Sequence, residues 1–248
     1  MFPIRDHNPS GRTPFVTWGL VAINIAVFLW YWFTLPDENA LGWFFVTWGL
    51  VPRDVMQGHD WHGVLTSMFL HAGWMHLAGN MLFLWVFGDN VEDEMGHLPF
   101  LGFYLCGGAL AAAGQVIADP WSPVPMVGAS GAIAAVLGGY LLLYPRARVD
   151  VLFIFLVFFR IFPIKAWIVL GAWFALQVFG GFSTPSEQGG VAYWAHAGGF
   201  VGGLVLSLPL WLARGGPAFW SRNKGTPPHP ETVYPVSRTS IPVVGRRR

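Results

Sequence analysis

Six long stretches of this chain contain no Asp, Glu, Lys or Arg: residues 13–36, 61–88, 95–118, 120–145, 166–186 and 188–213. A helix that crosses the hydrocarbon core of a bilayer needs roughly 20 predominantly apolar residues, so each stretch has room for one. The expected fold class is all-α, a polytopic membrane protein of six transmembrane helices, at approximately 15–35, 66–88, 97–117, 127–145, 164–182 and 190–213. Only 11% of the residues are charged and 54% are hydrophobic, whereas soluble domains carry about 25% charged residues. That shortfall excludes a soluble core. A net charge of +1 with no basic stripe through the body argues against nucleic-acid binding. A single cysteine, Cys106, excludes a disulfide scaffold. The first span is too long for a signal-peptide core and lacks a small-residue cleavage site, so it is expected to stay attached.

The distribution of Lys and Arg sets the expected orientation. Arg5 and Arg12 precede the first span, Arg146 and Arg148 follow the fourth, and seven basic residues follow Ala213. The positive-inside rule places both termini in the cytoplasm, which requires an even number of spans. Residues 1–14 are then a cytoplasmic N-terminal segment and 15–213 the six-helix domain. Residues 214–248, rich in Pro, Ser and Arg, are expected to be a disordered cytoplasmic tail. A seventh apolar run, 151–162, is about 18 Å long as a helix, short of the roughly 30 Å core, and Pro163 ends it. It is read as an interfacial or partly inserted segment. Residues 36–65 form a long outside loop whose Trp and other apolar side chains suit the bilayer surface.

Polar groups inside spans are costly and mark candidate functional positions. The second span holds His71, His76 and Asn80, the fourth holds Ser130, and the sixth holds His196. Each has a plain structural reading. Gly128-Ala-Ser-Gly-Ala is a common kind of helix-packing surface, and Asn80 can bridge helices. His71, near the start of its span, is expected at the headgroups. His196 is expected roughly 10 Å into its span, where an unpartnered imidazole is costly.

Spans two, four and six share one direction, from outside to inside, so His76, Ser130 and His196 fall at similar depth, roughly 5 to 15 Å below the outer surface. Gly199 and Gly203 lie three and seven residues after His196, on its own face. Ala134 and Gly138 follow Ser130 at four and eight. Two such faces let backbones approach closely and bring a hydroxyl to an imidazole. His76 and Asn80, four apart, point the same way, while His71 is about 140° round the helix and points elsewhere. A histidine near a serine can activate it as a nucleophile. His76, Asn80 and the Ser130 backbone N–H are suitable donors for an oxyanion. No carboxylate occupies a span, so the expected unit is a Ser–His dyad, with no cofactor.

A transporter or channel with an intramembrane His/Asn pathway explains the buried polarity but gives no reason for Ser130 and the packed glycines to share depth with His196. A third class is a non-catalytic scaffold that binds transmembrane helices. A zinc protease would need a motif such as His-Glu-x-x-His, which is absent. An aspartyl mechanism would need two membrane carboxylates, whereas Asp89 stands alone at a helix end. No metal site is expected from His71, His76 and His196, which lie on different faces.

In these motifs the chain resembles the rhomboid family of intramembrane serine proteases. The matching features are Gly128-Ala-Ser130-Gly131 opening the fourth span, Ala195-His196-Ala-Gly-Gly in the sixth, and His71-x4-His76-x3-Asn80 in the second, over about residues 40–210. The resemblance implies a rhomboid-like six-helix bundle that cleaves peptide bonds in or next to transmembrane helices of membrane-protein substrates. Ser130 is the implied nucleophile and His196 the base. His76, Asn80 and the Ser130 amide form the implied oxyanion hole, and Gly128, Gly131, Gly199 and Gly203 serve close helix packing. It further implies a membrane-embedded loop before the second span and a fifth span that gates lateral access. The sequence departs from the family in two places. Some members carry Tyr where this chain has Ala134, with Tyr193 and Trp194 as the candidates to replace it. Trp61-His62 stands where Trp-Arg is frequent, which leaves open what anchors the outside loop. From compactness and charge bias, the expected location is a prokaryotic plasma membrane.

Overall fold

The computed structural model describes residues 2–155, 158–184 and 190–232. Strand β1 (Phe2–Asp6) precedes helix α1 (Phe15–Thr34). The following connection contains α2 (Glu38–Trp48), α3 (Pro52–Met56), α4 (Gly63–Thr66) and a 3-10 turn at Ser67–Phe69. Helices α5 (Trp74–Met95), α6 (His97–Ala118) and α7 (Ser130–Leu143) lead into strands β2 (Arg148–Phe155) and β3 (Phe158–Lys165). Helices α8 (Ala166–Ser183), α9 (Tyr193–Ala213) and α10 (Pro217–Asn223) complete the described chain.

Among the described residues, four helices are long and apolar enough to cross a membrane by length and composition: α1, α6, α8 and α9. The other two expected spans correspond to α5 and α7, which differ for separate reasons. Helix α7 has only 14 residues, about 21 Å. Its residues from Gly131 to Tyr140 are all buried, so it is the central post of the bundle. A helix walled by its neighbours need not match the lipid thickness. Helix α5 begins at Trp74 rather than near 66, because residues 63–69 form α4 and the 3-10 turn and Leu70 is extended. It then runs on to Met95, past Asp89, because its acids have partners. Glu92, 1% exposed, accepts from the Val16 and Thr17 amides at 2.9 and 2.7 Å, at the N-terminus of α1. It also accepts from the Thr17 hydroxyl at 2.7 Å and pairs with His97 at 2.5 Å. A carboxylate opposite helix N–H groups meets donors that have no intrahelical acceptor.

The described fold is therefore mostly helical but not all-α. The run read as an interfacial segment, 151–162, lies within a β-hairpin, of which residues 156–157 are outside the described chain. Strands β1, β2 and β3 form one antiparallel sheet in that order. Arg148 pairs with Lys165 and Phe155 with Phe158, while Phe2 of β1 pairs with Leu152. The run is dense in Val, Ile and Phe, residues that favour pleated backbone, and Pro163 is accommodated because β3 is an edge strand. Arg5 binds Asp150 across the sheet at 2.7 Å.

The expected tail without structure is corrected for residues 217–232. Pro217 at the first turn opens α10, a position where a missing N–H costs nothing. Trp220 donates to the Leu142 carbonyl at 2.9 Å, His229 meets Asp93 at 2.5 Å, and the Thr232 amide donates to the His7 carbonyl at 2.7 Å. Residues 233–248 lie outside the described chain.

Asp6 closes the junction of sheet and bundle. Asn90 donates to its carboxyl, and the Tyr140 hydroxyl does so at 3.2 Å. Burial, then the neighbouring Asp89, raises its pKa from 3.8 to about 8. A carboxyl whose folded value is raised contributes stability that is complete below its unfolded value and is lost as pH rises through the folded one. The thermal midpoint of the detergent-solubilised protein should fall as pH rises from about 4 through about 8. Asp6→Asn should flatten that slope. An equally steep slope in Asp6→Asn would assign it to another group.

Candidate active site

Helices α5, α7 and α9 start at the end of the bundle opposite the sheet. Ser130 is the first residue of α7, His76 the third of α5, and His196 the fourth of α9. The three share a level within the bundle, and all lie in first turns. His196 is not two turns along its helix, because α9 starts at Tyr193.

Glycines set how closely the helices meet. A Cβ added at Gly199 would overlap the Gly131 carbonyl of α7, and one at Gly203 would overlap the Ala135 carbonyl. From the other side, a Cβ at Gly138 would overlap the Phe200 carbonyl of α9. The neighbouring pair serves a second contact. A Cβ at Gly198 would lie 3.0 Å from the Gly114 Cα of α6, and one at Gly202 would lie 2.8 Å from the Leu110 side chain. Helix α9 is thus wedged between α6 and α7, with alternate glycines facing each. Gly131 packs against α6, where its Cβ would meet that of Ala111 at 2.5 Å. Gly128 is different. It adopts φ of 138°, and a Cβ there would stand 2.9 Å from the His76 ring and 3.3 Å from Ser130 Oγ. It keeps space open between two site residues instead of joining two helices.

Backbone contacts locate the segment that carries Ser130. The Gly128 amide donates to the Ser67 carbonyl at 2.9 Å, and Leu50 and Met126 exchange both backbone hydrogen bonds at 2.9 and 2.8 Å. His62, in place of the expected arginine, meets the Thr47 carbonyl at 2.7 Å and packs edge-on against Trp48. These contacts anchor the connection between α1 and α5.

Ser130 Oγ lies 2.7 Å from His196 Nε2, and His196 Nδ1 lies 2.8 Å from Gln177 Oε1 on α8. The Gln177 amide nitrogen donates to the Trp173 carbonyl at 3.1 Å. The aromatic ring against His196 is that of Trp173, with centroids 5.7 Å apart. Neither Tyr193 nor Trp194 fills that place; they cover Gly180 and Gly181 of α8. The Ala72 amide donates to His76 Nδ1 at 3.3 Å. In a neutral ring that leaves the proton on Nε2, as a donor. Asn80, mostly buried, donates to the backbone carbonyl of His76 at 3.0 Å. A cavity of about 390 Å³ is lined by His76, Asn80, Ser130, His196 and Trp173.

His71 departs from the expectation at the headgroups. It precedes α5, is fully buried, and its ring meets that of His76 edge to face at 5.2 Å. The Tyr31 hydroxyl holds its backbone, donating to the carbonyl at 2.5 Å and accepting from the amide at 2.8 Å. Among the described residues, no group of three His, Cys, Asp or Glu is placed to hold a metal.

A family model described as the Rhomboid domain matches residues 58–213. The chain is 33% identical over 177 residues to the Rhomboid protease GluP of Bacillus subtilis, covering 71% of this chain and 31% of that protein. It is 31% identical over 200 residues to the mitochondrial Rhomboid protein 1 of Saccharomyces cerevisiae, covering 77% and 51%. It is 31% identical over 156 residues to the chloroplastic Rhomboid-like protein 11 of Arabidopsis thaliana, covering 61% and 52%. The chain therefore spans between about a third and about half of these relatives' lengths. With apolar helices of spanning length and a domain match over most of the chain, this integral membrane protein belongs to the rhomboid family.

Proposed function

We propose that the chain is an intramembrane serine endopeptidase that cleaves single peptide bonds in or next to transmembrane helices of membrane-protein substrates. The observation that carries this reading is the 2.7 Å approach of Ser130 Oγ to His196 Nε2 inside a cavity that His76 and Asn80 also line. In the proposed sequence, His196 takes the hydroxyl proton as Oγ attacks the scissile carbonyl, and returns it to the leaving amine. Water then hydrolyses the acyl-enzyme with His196 again as base. The developing oxyanion is met by His76 Nε2–H and the Ser130 amide, a first-turn N–H with no intrahelical acceptor. The proposed topology has six spans, both termini in the cytoplasm and the site toward the outer face, in a prokaryotic plasma membrane. The basic residues flanking the spans support that orientation.

Asn80 has a smaller expected share, since its amide already donates to the helix backbone. Asn80→Ala should slow turnover by about 10- to 1,000-fold without abolishing it, because other donors persist. An unchanged rate on a slowly cut substrate would remove Asn80 from the site. A direct test of the nucleophile is covalent labelling by a fluorophosphonate, with peptide mass spectrometry of the adduct. The expected adduct is on Ser130 in the wild type and missing in His196→Ala. A wild-type protein that resists the reagent would favour a transport or scaffold role.

A further inference from the structure

His196 has a third partner that the reaction sequence above leaves unused. Gln177 comes from α8, and its side chain is mostly buried between that helix and α9. An amide can be turned either way, but here its nitrogen donates to the Trp173 carbonyl one turn back. The atom facing His196 Nδ1 at 2.8 Å is therefore the oxygen. An amide oxygen only accepts, so Nδ1 carries the ring proton. The lone pair is then on Nε2, which points at the Ser130 hydroxyl.

We propose that Gln177 is a positioning residue for His196. Its amide oxygen fixes the tautomer and the ring plane that let His196 act as base toward Ser130, and supports the imidazolium that forms. This inference rests on the protease reading. The proton balance is simple. The Ser130 proton moves to Nε2 and later to the leaving amine, while Nδ1–H donates to Gln177 throughout and Gln177 gains no proton. Orientation of a catalytic base by a third group is ordinarily given to a carboxylate. An amide does the same work without placing a net charge among apolar helices, where an ion is costly.

Two variants separate this role from a structural one. Gln177→Met keeps the length of the side chain and removes the acceptor. It should lower kcat by about 10- to 100-fold with little change in KM, less than the ~10,000-fold loss seen where the wrong tautomer is imposed. Gln177→Glu keeps an acceptor and adds charge. It should retain activity and move the rising limb of the pH profile upward by about 1 to 2 pH units, as a carboxylate beside an imidazole favours its protonated form. The assay is cleavage of a single-span substrate in liposomes, with wild type and Ser130→Ala run alongside. An inactive wild type, or an active Ser130→Ala, defeats the protease reading whatever Gln177 does. If that reading stands, wild-type kcat in Gln177→Met overturns the inference. So does a Gln177→Glu protein whose pH profile is not displaced.

Discussion

Ser130→Ala and His196→Ala should each abolish proteolysis, and the double variant should be no worse than either. The hydroxyl and the imidazole, 2.7 Å apart, are proposed as one reacting unit, and losses within such a unit do not add. Both side chains lie at the edge of a cavity rather than in the packed centre of the bundle. The variants should therefore insert and unfold like the wild type, as followed by tryptophan fluorescence on heating. Additive losses, with measurable residual cleavage in each single variant, would mean that the two groups act in separate steps.

The second large effect concerns packing. Gly203→Val should destabilise the protein by about 3 kcal/mol, the upper end for overpacking, and should remove activity as well. Its added Cβ meets the Ala135 carbonyl, which belongs to backbone and cannot rotate away. The helices must separate there, and Ser130 and His196 are held on the same two helices. Gly171→Ala supplies the control. Nothing lies within 4 Å of a Cβ at Gly171 on α8. Alanine in a helix interior is favoured over glycine by roughly 0.5–1 kcal/mol. Thermal unfolding should show a large drop for Gly203→Val and none for Gly171→Ala. Equal midpoints would show that the α7–α9 contact is looser than its geometry indicates.

Much of this arrangement is legible in the sequence because membranes punish polar groups. Charges punctuate the chain into spans, and Ser130, His76, Asn80 and His196 stand out against the apolar background. The i, i+3 and i+4 spacings of the glycines give the close face of α9 toward α7, though not the second face, Gly198 and Gly202, toward α6. Gln177 escapes because, unlike Asn80 four residues after His76, it has no polar neighbour at helical spacing to mark it, and its partner His196 lies on another helix. The signal was nonetheless there: a lone carboxamide among apolar residues in a span needs a partner. The sheet is hidden for another reason. Its first strand is the N-terminal segment, with Arg5 and Asp150 separated by 145 positions, and no local pattern announces a pairing so distant. The packing of residues 217–232 is equally invisible to composition, because its partners are side chains and carbonyls of α5, of α7 and of His7 just after β1.

The site's proposed place near the outer face also constrains the substrate. A helical substrate keeps its carbonyls in i to i−4 hydrogen bonds, so the reacting stretch must unwind before Ser130 can reach it. Gly and Pro near the cut lower that cost by roughly 1 to 3 kcal/mol each. Small residues beside the cut suit a site framed by Gly128 and the glycine-lined helices. The most direct measurement reconstitutes the purified protein in liposomes with single-span substrates and maps the products by mass spectrometry. The account predicts one cut near the outer membrane boundary of the substrate, slowed when nearby helix breakers become Leu, and lost in Ser130→Ala. Cleavage by Ser130→Ala, or a wild type that cuts none of these substrates, would contradict it.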